Sequence, residues 1–115
     1  MPPAPTSRET APHYFWGDNC DGWHLLQDSN MSVIEERMPP GASEVRHFHR
    51  SAQQFFFILS GQATMEISGE RIVLLAGQGL AIPPGTPHQF RNHSAEPVTF
   101  LVISQPPSHG DRVTV

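Results

Sequence analysis

His47 and His49 stand two residues apart in the run Val45–His49, and His88 lies downstream, just after the breaker Pro83-Pro84-Gly85. In an extended chain successive side chains alternate, so the two imidazoles share one face and Phe48 takes the other. Gln54 opens the next apolar run, Gln53–Leu59, and shares a face there with Phe56 and Ile58. If these two runs form a hairpin, the Gln54 amide returns beside the histidine pair. A Pro-Gly turn is a rigid device for aiming one more imidazole at the other two. Three neutral imidazoles and an amide oxygen are a donor set for a divalent ion. An HxH pair alone is also an ordinary strand feature; the spacing of the whole set is what points to an ion.

Short strands must position these groups. Trp23–Leu26, Met31–Met38, Val45–His49, Gln53–Leu59, Ala63–Ile67, Ile72–Leu75, Leu80–Ile82, His88–Arg91 and Val98–Ser104 are β-like runs, separated by Gly, Pro, Ser and Asn. Ser68-Gly69-Glu70-Arg71 between two of them reads as a hairpin turn. No segment carries a helical period, so the fold class expected is all-β, a sandwich or barrel. The run Val98–Ile103 is apolar almost throughout and predicts a strand buried on both faces, as at a dimer interface. Residues 1–12 hold four prolines and no pattern and are expected to form a flexible arm. Residues 13–105 form the folded unit in this reading, and 106–115 a tail.

Composition bounds the function. A chain of 115 residues is one domain. With 37% hydrophobic residues it is too apolar for disorder, and with 9 Gly and 12 Pro it is too broken for a helix bundle. No apolar run is long enough to span a bilayer, and a secretory leader pattern is not seen. A net charge of −4 argues against a nucleic-acid partner. Every basic residue is Arg, so Schiff-base chemistry on a lysine is ruled out. The single cysteine, Cys20, offers neither an intrachain disulfide nor a thiolate zinc site. A reducing, cytoplasmic location is expected.

The stretch Gly41-x5-His47-x-His49-x4-Gln54-x6-Gly61 resembles the first motif of the cupin superfamily, with Gln54 where the motif has Glu. Gly77-x5-Pro83-x-Gly85-x2-His88-x3-Asn92 resembles the second at every fixed position. The resemblance covers residues 41–92 and implies a small single-domain cupin, a double-stranded β-helix (jelly-roll) barrel of about six to eight strands. It implies one divalent metal ion per chain, iron, manganese, nickel or zinc, held by His47, His49, Gln54 and His88. An amide in place of a carboxylate leaves such an ion one unit more positive. The site should then hold its ion less tightly, and attract anions and polarise carbonyls more strongly. Alternatively Gln54 does not ligate and the site is three histidines with open positions.

The function implied is that of a metal-binding cupin acting on a small oxygenated or anionic organic molecule, by dioxygenase, isomerase or lyase chemistry. The alternative is a non-catalytic module that binds or senses a small ligand. By parity or position, Phe56, Ile58, Met65 and Phe90 are candidates to line the pocket, and Tyr14, Trp16 and Trp23 to close its mouth. Arg46 and Arg91 alternate with ligand positions and should face outward. His13, His24, His93 and His109 stand outside the motifs and are read as solvated. Asn92 is expected to hydrogen-bond the turn that aims His88. Exposed strand edges predict a homodimer, through the N-terminal region or Val98–Ile103, with no membrane or nucleic-acid partner.

Overall fold

The computed structural model describes residues 3–115, so the first two residues of the 1–12 arm lie outside the described part. Eleven strands form in chain order: β1 His13–Trp16, β2 Cys20–Gln27, β3 Ser32–Met38, β4 His47–His49, β5 Gln53–Ser60, β6 Gln62–Ile67, β7 Glu70–Leu75, β8 Gly79–Ile82, β9 His88–Arg91, β10 Val98–Gln105 and β11 Arg112–Thr114. They make two antiparallel sheets, one of six strands in the order β1-β2-β3-β10-β5-β8 and one of five in the order β11-β4-β9-β6-β7. The all-β jelly roll read from the sequence is the fold observed. No helix among the described residues is long and apolar enough to cross a membrane.

Alternation decides which side chains face the core. Along β5, Gln54, Phe56 and Ile58 are buried, while Phe55 and Leu59 are exposed on the outer face. Along β10, Val98, Phe100, Val102 and Ser104 are buried, and along β9, His88 and Phe90. Phe90 and Phe100 lie with ring centroids 4.2 Å apart and Phe56 stacks on Phe90 at 5.4 Å, within the buried core between the sheets. Each fully buried ring of this kind stabilises the fold by about 1.5–3 kcal/mol relative to exposure. The β6–β7 connection is a two-residue turn in which Ser68 and Gly69 both have positive φ, +49° and +82°. That is the type I′ geometry whose twist matches the flanking strands.

Two sequence expectations change at this level, in β4–β5 and in the segment 106–115. Within the single chain, Val98–Ile103 buries one face. β10 is the interior strand between β3 and β5, and its outward side chains Leu101 and Ile103 are only half-buried. β4 and β5 do not form a hairpin, because the chain crosses from one sheet to the other at Arg50–Ala52. In the segment 106–115, β11 pairs with β4 in the register Arg112↔His49 and Thr114↔His47. The Asp111 carboxylate accepts hydrogen bonds from the backbone N–H groups of Arg50, Ser51 and Ala52, at 2.9–3.0 Å. These bonds hold its acid strength above the usual carboxylate range and fix the corner that follows His49. At the other end of the chain, the Arg8 guanidinium sits 4.2 Å from the Trp23 ring and pairs with Glu35, which docks residues 7–11 on the outer face of the larger sheet.

Candidate metal centre

The five-stranded sheet supplies all three histidines. His47 and His88 are register partners of β4 and β9, and His49 follows on the same face of β4. One ring nitrogen from each lies within 4.8 Å of the others, and all three side chains are buried. A single local device orients two of them. His47 Nδ1–H donates to the Val45 carbonyl at 2.7 Å and His88 Nδ1–H to the Thr86 carbonyl at 2.9 Å. With Nδ1 protonated, each neutral ring carries its lone pair on Nε2. His88 Nε2 is buried with no hydrogen-bond partner, and so is Nδ1 of His49. The strand carrying His88 is tied to β4 by the turn before it: Gly85, at φ +76°, donates its N–H to the His49 carbonyl.

Gln54 faces this group from the other sheet. Its Nε2 donates to Ser104 Oγ at 3.1 Å, which leaves Oε1 buried and unpartnered. Buried acceptors without partners are costly, about 1–3 kcal/mol each, and an ion on these nitrogens and this oxygen would satisfy them. The donor chemistry therefore fits a divalent ion, with His47, His49 and His88 as its nitrogen donors and Gln54 Oε1 as a neutral oxygen donor.

The electrostatics keep the imidazoles uncharged. Burial pushes the His47 imidazole down to about 3, helped by the nearby Arg112 guanidinium and the other two rings. Burial likewise lowers His49, with His88 next in effect, and lowers His88, with a smaller contribution from Arg112. A folded-state value below the ordinary 6.5 means that the unfolded chain binds more protons in mild acid. The stability this site contributes is therefore complete above about pH 6.5 and is lost as pH falls toward 3. In ion-free protein, the stability of the natural chain relative to His47→Gln should fall by about 2 kcal/mol between about pH 7 and pH 5. Urea denaturation of both chains at the two pH values measures this. Glu36 and Glu44 titrate in the opposite sense, but they are common to both chains and cancel.

Beside the histidines opens a cavity of about 690 Å³, within the range of small-molecule sites. His47, His49, Gln54 and Phe56 lie in its wall. Ile58, Met65 and Phe90 do not; they belong to the packed core. They have the inward parity, but parity selects a face and not a depth along the barrel. Tyr14 and Trp16 line the cavity, whereas Trp23 faces outward under Arg8. Arg46 and Arg91 lie on the outer face beside Glu66. His24 is not solvated: it lines the cavity, its ring 4.7 Å from Tyr14, with Nδ1 buried and unpartnered. His109 is also in the wall. Asn92 does not bond the turn before His88. Its Nδ2 donates to the Met38 and Glu96 carbonyls at 3.1 and 2.8 Å, so it ties β3 to the loop after β9.

Four charged residues of the cavity were missed in the sequence, Asp28 among them. Glu36, Glu44 and Arg112 all line it. Arg112 Nη2 contacts the Val45 carbonyl at 3.2 Å and His47 Nδ1 at 3.3 Å. Burial pushes the Glu36 carboxyl up to about 7 and the Glu44 carboxyl up to about 8. The signal for Glu36 was its parity with Ser32, Ile34 and Met38, but Glu35-Glu36-Arg37 reads as a solvated charge run.

A two-sheet barrel that carries an HxH pair on one strand and a third histidine on its register partner defines a jelly-roll class with a three-histidine cluster. The chain belongs to the cupin family: the family described as Cupin domain matches residues 34–104. It is 33% identical over 89 residues to an uncharacterized protein of Methanocaldococcus jannaschii, covering 76% of this chain and 71% of that one. It is 34% identical over 77 residues to the quercetin 2,3-dioxygenase of Bacillus subtilis, covering 65% of this chain but only 23% of that enzyme. Among solved structures, the polyketide cyclase RemF of Streptomyces resistomycificus superposes with a TM-score of 0.82 at 18% identity, over 100% of this chain and 85% of that one, a likeness of fold.

Proposed function

We propose that this cupin holds one divalent ion on His47, His49 and His88, with Gln54 Oε1 as a neutral fourth donor, and acts there on a small oxygenated or anionic organic molecule. The observation that carries the reading is the convergence of three buried imidazoles from one sheet with a buried, unpartnered amide oxygen from the other, His47, His49 and Gln54 lying in the wall of one cavity. The ion would supply Lewis acidity toward a bound oxygen. The chain's own residues support the choice of ligand. Arg112 sets a fixed positive charge in the wall. Burial pushes the Glu44 carboxyl up to about 8 and favours its neutral form, which limits the opposing negative charge. The cavity's size suits a molecule of one or two rings. The quercetin dioxygenase relative, whose name specifies an oxygen-rich aromatic substrate, supports the same class.

Elemental analysis of untagged protein, reconstituted in turn with iron, manganese, nickel and zinc, tests the reading. One ion per chain is expected, lost in His49→Ala. An ion-free natural chain under all four conditions would overturn it. A non-catalytic ligand-binding role is the second reading, favoured by the absence of a carboxylate at position 54. Tight binding without turnover, both in air and under nitrogen, would select it.

Gln54→Glu should raise divalent-ion affinity on the order of tenfold to a hundredfold, because a carboxylate adds a full negative charge at the ion. The same change should weaken the binding of anions to the loaded protein. Competition titration with a chelator measures the first effect, and azide binding to the cobalt-loaded chains the second.

A further inference from the structure

Gln54 leaves the three-histidine group without an adjoining carboxylate, yet the cavity contains one on the opposite wall. Glu36 sits at the inward parity of β3, in the larger sheet, and lines the same cavity as His47, His49 and Gln54. The Tyr14 hydroxyl, from β1, donates to Glu36 Oε2 at 2.7 Å and fixes the carboxyl in the wall. The other groups that face or influence it are Cys20 and His24 from β2, Glu44 and, from β11, Arg112. β10, the remaining neighbour of β3, sets Phe100 opposite Glu36 in register and offers no titratable side chain toward the cavity. Glu44 is engaged elsewhere. Its Oε2 accepts the Phe90 N–H at 2.9 Å, and its carbonyl takes the Gln89 amide. Among the described residues Glu36 has only the Tyr14 hydroxyl as a hydrogen-bond partner, and a tyrosine so placed favours the ionised form against burial.

We infer that Glu36, held by Tyr14, accepts the proton of an acidic hydroxyl, phenolic or enolic, on a ligand bound against the histidine cluster. This rests on the metal-site reading above. In the step the ligand O–H bond breaks, the proton passes to a Glu36 carboxylate oxygen, and the electron pair stays on the ligand oxygen facing the histidines and Arg112. A carboxyl whose burial has moved it toward neutrality is poised for such a transfer.

The test uses catechol as probe, whose hydroxyls stay protonated in solution at mildly alkaline pH, and the zinc-loaded full chain, with ion content measured on every sample. Calorimetry in buffers of different ionisation enthalpy, at mildly alkaline pH, counts the protons released on binding. The natural chain should release about one proton fewer per bound catechol than Glu36→Gln, because the protein keeps the one it takes. Tyr14→Phe retains the carboxylate and should keep the natural proton count, with its pH profile shifted upward. That separates the role of Glu36 from simple damage to the wall. Equal proton release and equal pH profiles for the natural chain and Glu36→Gln, at equal ion content, would overturn the inference and leave the metal site standing. A natural chain without ion would overturn both, and elemental analysis reads that outcome separately.

Discussion

In His88→Ala, zinc affinity is expected to fall by at least about a thousandfold, with the ion no longer retained through gel filtration. Removing a partner that merely orients a ligand costs roughly 10–100-fold, and His88 is proposed as a ligand itself. It is 1% exposed, its Nδ1–H is committed to Thr86, and its Nε2 has no other acceptor role to play. The two remaining imidazoles share one strand, so losing His88 removes the nitrogen donor that comes from the paired strand. His93→Ala is the control, since His93 is exposed. Isothermal titration with zinc reads both chains. Near-equal affinity for the natural chain and His88→Ala would place the ion elsewhere or remove it from the account.

Phe100→Ala should destabilise the protein by about 3–5 kcal/mol and lower Tm on the order of 10–20 °C. The ring is fully buried, 4.2 Å from Phe90 and 6.1 Å from Phe56 by centroid, and the remaining core is too tightly braced by two sheets to collapse into the space. The loss is a large share of the stability of a domain of this size. It should also weaken ion binding without touching a donor atom, because Phe56 stands edge-on to His88 at 6.1 Å and leans on Phe100. Phe15→Ala, at a ring 78% exposed, should change Tm by little. Thermal unfolding followed by circular dichroism, in ion-free and zinc-loaded protein, measures both effects.

The two predictions draw on different levels of the molecule, and the sequence bears on them unequally. The histidine spacing, the turn before His88 and the alternation of β5, β9 and β10 can be read from residue order, because a period of two and a Pro-Gly turn are local constraints. Reading Gln54 as the hairpin neighbour of His49 went wrong in its geometry. Gln54 comes from the facing sheet, since the corner at Arg50–Ala52, anchored by Asp111, sends β5 across the barrel. Ile58, Met65 and Phe90 were read as pocket residues for the same kind of reason. Their parity is inward, but they lie at a depth where the two sheets have already closed on each other.

The residues that the sequence hid are those whose role depends on partners far away in the chain. Glu36 meets Tyr14 across 22 positions, and Arg112 meets His47 across 65. Nothing within a few residues of either one records the encounter. By itself, then, the sequence determined the β class, the inward face of each strand and the three histidines with their order. Only the tertiary structure decided that two of those histidines, His47 and His49, share a cavity wall with a half-buried carboxyl, a tyrosine and an arginine. Alternation is a property of the backbone within one strand, whereas the contents of a cavity follow from which strands face each other and in what register, and those are settled by packing between distant segments.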